Sequence, residues 1–144
     1  DPTYKDGTTS FRFRNPVNRC NGTTCPIDGA IGGKTLPRTP KTQLIAGAEW
    51  TSKFSNGMAF YARGDVTYQS ELQVEEMNLA QIEPRTLVNA RVGLSKDKWS
   101  ADLWGKNIFD EEYVANSFFI VSGVGYTASY GEKATYGLTV RYQF

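Results

Sequence analysis

The sequence predicts an all-β fold: an antiparallel transmembrane β-barrel segment of about five consecutive strands from a larger barrel, with long extracellular loops. Three observations predict it. Apolar and polar residues alternate with a period of two from about residue 41 onward, charged residues recur within the polar rows, and short connectors alternate with long ones. Such barrels typically have strands with one water-facing and one apolar face. Short turns join the strands at one end and long loops join them at the other.

Residues 1–40 are predicted to form an extracellular loop, and residues 41–144 the C-terminal five strands. The first segment holds five of the six prolines, counting Pro40 at its edge, and both cysteines. It has no long periodic run, and its Pro and Gly residues are typical of a loop. Cys20 and Cys25 flank a short Gly-containing turn, so in an oxidising cell-surface setting we expect a disulfide rather than a metal or redox site.

Five runs from residue 41 onward predict strands that pair in sequence order. Successive side chains of a strand point to opposite faces, and helical spacing fits none of these runs. Asn56-Gly57 favours a tight hairpin between the first two runs, because Gly readily adopts positive φ. The runs cover residues 41–52, 57–69, 85–95, 98–109 and 134–144.

Each run has one polar row, and these rows carry charges of both signs. Such a row suits the water-filled interior of a wide barrel. We expect opposite charges to become neighbours across adjacent strands, where they contribute modestly to stability. The residues predicted to face the lumen are Glu49, Arg63, Asp65, Arg91, Asp102, Lys106 and Arg141.

The other rows are apolar, and the last run has the most regular alternation. Its residues Leu138, Val140, Tyr142 and Phe144 share one face. A soluble β-sandwich also alternates, but its strands average about 5–6 residues. The runs here have nine or more, near the roughly 9–11 that a tilted strand needs to cross a bilayer.

The connectors and aromatic residues give an orientation. Tight turns at residues 53–57 and 96–98 alternate with loops at 1–40, 70–84 and about 110–133. Barrels of the outer membrane have short periplasmic turns and long external loops. Periplasmic tight turns would put Trp50, Trp99 and Phe144 in an inner interfacial girdle, with Tyr68 and Tyr136 near the outer one.

Composition argues against catalysis and nucleic-acid binding. The chain has no His, the usual general base and metal ligand, and two Cys alone cannot form a zinc site. Its 16 basic and 15 acidic residues give no basic footprint for nucleic acid. We therefore predict no enzyme, no catalytic or metal-binding residues and no cofactor. Asp110-Glu111-Glu112 could bind calcium from one side, but one cluster supplies few of the 6–8 oxygens needed, so a solvated acidic loop is favoured.

Several motifs resemble those of the TonB-dependent outer-membrane receptors. The segment from Leu103 to Tyr113 resembles the N-L-F-D-x-x-Y signature of their penultimate strand, carried here by Asn107, Phe109, Asp110 and Tyr113, with Ile108 in place of Leu. The ending from Tyr136 to Phe144 resembles their final strand, and residues 36–41 resemble a P-x-x-P segment that precedes a late strand. The resemblance covers about residues 36–144.

The resemblance implies a role in the bacterial cell outer membrane. Members of the family import scarce ligands such as siderophores, cobalamin or saccharides with energy delivered through TonB. It further implies that the barrel-assembly machinery recognises the terminal residues Leu138, Val140, Tyr142 and Phe144. Barrels of this family have about 22 strands around a plug, so the implied partners are outer-membrane lipid, TonB, the assembly machinery, and the remainder of the barrel and plug in the same or a separate chain.

Alternatives remain open at this level. A passive porin-like channel would share the wall pattern, and an extracellular β-rich adhesion or assembly protein would share the alternation. Phe118 and Phe119 are expected to lie on opposite sides of an extended strand continuing above the membrane, rather than in a ligand vestibule. Trp104, on the lumen face, is expected to pack on the plug rather than meet cargo. The sequence does not identify the transported ligand.

Overall fold

A computed structural model describes residues 2–6, 8, 31–120 and 125–144. In these residues the regular elements are β-strands in antiparallel sheets. They are β1 Gln43–Lys53, β2 Ala59–Gln69, β3 Leu72–Gln73, β4 Gln81–Ile82, β5 Arg85–Lys96, β6 Trp99–Lys106, β7 Val114–Ile120, β8 Gly125–Tyr130 and β9 Thr135–Tyr142.

Five of the strands form the main sheet, in the order β1-β2-β5-β6-β9. Every neighbouring pair is antiparallel, so the five predicted strands and their pairing in sequence order are confirmed. The sheet is open, with β1 and β9 at its edges, and no barrel closes among the described residues. No helix in the described ranges is long and apolar enough to cross a membrane.

The predicted range 98–109 extends three residues past the end of β6, which lies at Lys106. Asn107 and Asp110 take left-handed backbone conformations, with φ of 47° and 53°, which turn the chain out of the ladder. β9 likewise ends at Tyr142, although the Gln143 amide still donates to the Lys98 carbonyl at 3.0 Å.

Both tight turns lie at one end of the main sheet. In the first, the Phe54 amide donates to the Met58 carbonyl at 2.8 Å, and Gly57 has a φ of 79°. In the second, Asp97 has a φ of 52° between β5 and β6. These two turns fix the register of the strand pairs that they join.

The chain divides into two compact units. One comprises residues 42–70, 84–115 and 130–144 and contains the main sheet; the other, the loop unit, comprises residues 1–41, 71–83 and 116–129. The boundary near residue 41 lies close to the predicted division at residue 40. The loop unit, however, also takes in two later segments that were predicted as separate loops.

The loop unit has its own small core and polar hub. Its buried apolar side chains are Ile31, Val74 and Ile82. The carboxylate of Glu75, 4% exposed, accepts hydrogen bonds from the amides of Met77 and Leu79 at 2.6 Å each. Internal hydrogen bonds of this kind hold a long connector in one shape.

Phe118 and Phe119 lie in β7, within the loop unit. The Arg38 guanidinium stands 4.5 Å from the Phe118 ring centroid, while the Phe119 ring packs 5.2 Å from that of Tyr126. Burial and the nearby Glu75 raise the pKa of the Tyr126 hydroxyl. β7 is extended, but it pairs with β8 in a separate two-stranded sheet and is not a continuation of β6, so the expected continuation of the strand is wrong. Cys20 and Cys25 lie outside the described residues, and their disulfide stays a prediction.

Candidate functional site

The register places all seven predicted lumen residues on one face of the main sheet. Glu49 is opposite Arg63, which is opposite Arg91, which is opposite Trp104. Asp65 lies two residues from Arg63 on the same strand, and Asp102 and Lys106 each lie two residues from Trp104. Arg141 is opposite Ser100, which lies two residues from Asp102. This charged face therefore carries Glu49, Arg63, Asp65, Arg91, Asp102, Lys106 and Arg141.

Arg63 is held between two acids on the charged face. Its Nε and Nη2 donate to Asp65 at 2.9 and 2.8 Å, and its Nη1 lies 3.6 Å from Glu49. These contacts occupy the guanidinium that would otherwise face the like-charged Arg91 directly opposite it. Because the side chains are one-third to one-half exposed, each pair stabilises the sheet little.

Asp102 is the buried centre of a second cluster, which we call the Asp102 cluster. Only 4% of its side chain is exposed. Its Oδ2 accepts from Arg91 Nη2 at 2.6 Å and from Arg141 Nη1 at 3.1 Å, and its Oδ1 accepts from the Tyr61 hydroxyl at 2.5 Å. The mixed-sign neighbours expected of this face are thus present, and the cluster joins β2, β5, β6 and β9.

Tyr61 was missed as a site residue by sequence reasoning, which treated Trp104 as the large aromatic of this face. Tyr61 lies opposite Gly93, and a Cβ on Gly93 would collide with the Tyr61 ring and with Asp102. The missing side chain lets the ring cross β5 and reach β6, a typical use of Gly within a strand. The alternation places Tyr61 in the polar row, and Gly93 opposite it was the available signal.

A shallow concavity of about 470 Å³ opens on the charged face. Its floor includes Trp104, whose indole N–H donates to Thr139 Oγ1 at 3.2 Å and whose ring covers Gly137. Its charged lining comprises Arg63, Asp65, Arg91, Lys106 and Arg141. Such a surface can bind an anion by charge and hydrogen bonding, but it brings together no acid-base pair suited to catalysis.

The opposite, apolar face of the sheet carries the predicted assembly residues. Leu138, Val140 and Tyr142 are 69%, 54% and 45% exposed and share their face with Trp50, Val92 and Leu103. Across the paired positions of the five strands, Lys96 at the second tight turn is the one charged residue on this face.

Aromatic side chains of the apolar face gather at the tight-turn end. The ring centroids of Trp99 and Tyr142 are 5.0 Å apart, those of Tyr142 and Phe144 5.3 Å, and those of Trp50 and Phe60 5.6 Å. Tyr136 lies toward the other end, where its hydroxyl donates to the Ile108 carbonyl at 2.9 Å. The aromatic residues predicted for the inner girdle thus lie near one end of the sheet, and the girdle itself stays a prediction.

The motif residues after β6 form a hydrogen-bonded turn rather than a binding site. Asn107, 5% exposed, donates through Nδ2 to the carbonyls of Glu111 and Glu132 at 2.9 and 3.1 Å. Its Oδ1 accepts from the Glu111 amide at 3.0 Å, and Asp110 Oδ1 accepts from the Ala134 amide at 2.7 Å. These bonds tie the end of β6 to the chain just before β9.

The other two motif residues differ in their surroundings. The Tyr113 ring covers Gly131, and Arg85 lies 4.8 Å from the centre of that ring. Phe109 is 75% exposed. Three of the four motif residues therefore have structural contacts that the spacing alone did not reveal.

One of the neighbouring acids has a basic partner. Glu112 pairs with Lys133 at 2.7 Å, and this carboxylate raises the pKa of the Lys133 ammonium. No group of three or more potential metal ligands occurs among the residues that the structure describes. No known protein-family model matches the sequence.

Proposed function

We propose that this chain forms part of the wall of an outer-membrane β-barrel, in a TonB-dependent receptor that imports a scarce ligand such as a siderophore, cobalamin or a saccharide. The observation that carries the proposal is the polarity of the main sheet. Its apolar face is exposed, its charged face holds a buried carboxylate, and the aromatic residues gather at one end. This is the arrangement of a strand wall between lipid and an aqueous interior.

Burial supports the same proposal. Within the described residues, the buried side chains of the sheet unit are polar, namely Ser70, Asp102 and Asn107. The buried apolar side chains found in those same residues, Ile31, Val74 and Ile82, all lie in the loop unit. Soluble monomers rarely expose contiguous apolar patches above a few hundred Å². Lipid would cover the exposed apolar face without any further protein.

The open edges set a requirement on the proposal. Unpaired backbone groups of β1 and β9 cannot face hydrocarbon, since each would lack a hydrogen-bond partner. Further strands, from the same or a separate polypeptide, would have to complete the barrel. The strand lengths of 8–12 residues are near those needed to cross a bilayer.

The first test is fractionation of the native polypeptide that carries this sequence. We expect it in the outer membrane, extractable only with detergent, and with a faster electrophoretic mobility before boiling than after it. Recovery in the soluble extracellular fraction would instead support the adhesion or assembly alternative.

A second test separates import from passive diffusion. Ligand uptake by cells carrying the protein is compared with and without TonB. Uptake that disappears without TonB supports the receptor, whereas unchanged uptake supports a porin-like channel.

A further inference from the structure

We propose that the concavity around Lys106, Arg91 and Arg141 binds a small organic anion carrying two or more carboxylate or phosphate groups. This inference rests on the proposed function, because it assigns a ligand class to the charged face of the same wall. It goes beyond that function by naming the residues that make the contact and the charge of the ligand.

The first support is the charge of the lining. Four cationic side chains, Arg63, Arg91, Lys106 and Arg141, line the concavity together with a single acid, Asp65. The Asp65 carboxylate already accepts hydrogen bonds from Nε and Nη2 of Arg63. Asp102 is not part of the lining, and its oxygens are occupied by Tyr61, Arg91 and Arg141. The surface presented to a ligand is therefore net positive.

The second support is the number of donors still free to bind. Lys106 is exposed, and no ion pair or hydrogen bond of its ammonium occurs within the described part of the chain. Arg141 engages Asp102 through Nη1 alone. The Lys106 ammonium and the exposed remainder of the Arg141 guanidinium are therefore available to an anion.

The third support is that the two arginines of the site are already held in position. The Asp102 carboxylate accepts hydrogen bonds from Arg91 and Arg141, and the Thr139 hydroxyl accepts one from the Trp104 indole. Ligand binding then immobilises fewer side chains, which lowers the entropic cost of association. The Trp104 ring supplies apolar lining for the ligand skeleton.

The size of the concavity favours a small molecule over an acidic polypeptide segment. About 470 Å³ lies within the roughly 300–1,000 Å³ usual for small-molecule sites. Guanidinium and ammonium groups bind carboxylate and phosphate alike. Whether its acidic groups are carboxylates or phosphates, the ligand must therefore carry several negative charges on a compact skeleton.

The experiment is titration calorimetry on the full native polypeptide, folded in detergent, with citrate and pyrophosphate as probes. We expect saturable binding of one equivalent of at least one probe, weakened at high salt because the interaction is between charges. The trimethyl ester of citrate should not bind. Citrate binding without pyrophosphate binding identifies a carboxylate ligand, and the reverse a phosphate ligand.

Two variants locate the site. Lys106→Gln and Arg141→Gln should each weaken binding by about tenfold, the loss expected when one charge-assisted contact disappears. Lys53→Gln is the matched control, since Lys53 lies on the same face but outside the concavity, and it should leave binding unchanged.

Several results would overturn the proposal. These are no binding of either probe, an equal loss in the Lys53→Gln control, or binding of a polyglutamate peptide in place of both small anions. Detergent-dependent folding of the same variants is measured in parallel. A protein that inserts into lipid but binds no anion would overturn the anion site and leave the barrel wall intact, whereas a soluble protein that binds citrate would overturn the barrel wall alone.

Discussion

The Tyr61 hydroxyl on β2 donates a 2.5 Å hydrogen bond to Asp102 on β6, across the strand that lies between them. Gly93 on β5 leaves room for the ring to pass. The same carboxylate accepts from Arg91 and Arg141, so one buried acid joins four strands of the five-stranded sheet. This arrangement positions Tyr61, Arg91 and Arg141 around a single carboxylate on the charged face.

Replacing Gly93 with Val should destabilise the folded protein by about 1–3 kcal/mol, because the new side chain displaces the Tyr61 ring. Urea unfolding in detergent micelles measures the change. Gly64→Val on neighbouring β2 is the control, since a Cβ there meets open space. Equal losses in the two variants would contradict the role of the Tyr61–Gly93 pair.

Replacing Asp102 with Asn should cost about 2 kcal/mol of unfolding free energy, since two arginines lose their shared acceptor. Asp65→Asn removes a much more exposed acid and should cost less than about 1 kcal/mol. The two variants are compared by the same unfolding measurement. A larger loss for Asp65→Asn would show that Asp102 is not the centre of the charged face.

The turn after β6 depends on the Asn107 side chain as well as on its backbone conformation. Asn107→Gly keeps the left-handed φ without strain but loses the bonds to Glu111 and Glu132. We expect a loss of about 1–3 kcal/mol in unfolding free energy. Full stability in Asn107→Gly would mean that only the backbone conformation matters there.

Deleting Phe144 should reduce insertion in cells far more than it weakens the folded protein. Its side chain is fully exposed and contacts the Tyr142 ring, so little folded-state packing is lost. The family resemblance implies that the assembly machinery reads this end of the chain. Outer-membrane abundance and unfolding of purified protein are measured side by side. Equal abundance of the deletion variant and wild type would refute the prediction.

The five strands and their order could be predicted because period-two alternation is a local signal, readable along each run. The same alternation placed Glu49 and Arg63 in the polar rows and predicted mixed-sign neighbours there, but it did not fix which residues pair, because that depends on the register of the hairpin. The link between Tyr61 and Asp102 was not predictable in this way. It depends on a glycine in a third strand and on a register that only the folded sheet defines.

The loop unit was harder to predict for the same reason. Glu75 and Asn78 organise backbone groups near and far in the chain, including Thr35, whose amide donates to Asn78 at 2.7 Å. Such contacts leave no periodic trace in the sequence. The end of β6 was misplaced because the left-handed conformation of Asn107 depends on partners at Glu111 and Glu132, and the second is distant in sequence.

The most direct test of the account is membrane insertion of three arginine variants at consecutive positions of β9. Leu138 and Val140 lie on the apolar face, and Thr139 lies between them on the charged face opposite Asp102. If the apolar face meets lipid, Leu138→Arg and Val140→Arg should each cost up to about 2–4 kcal/mol, depending on depth. Thr139→Arg, facing water, should insert nearly as well as wild type. Normal insertion of Leu138→Arg and Val140→Arg, with loss in Thr139→Arg, would contradict the orientation and the membrane wall proposed here.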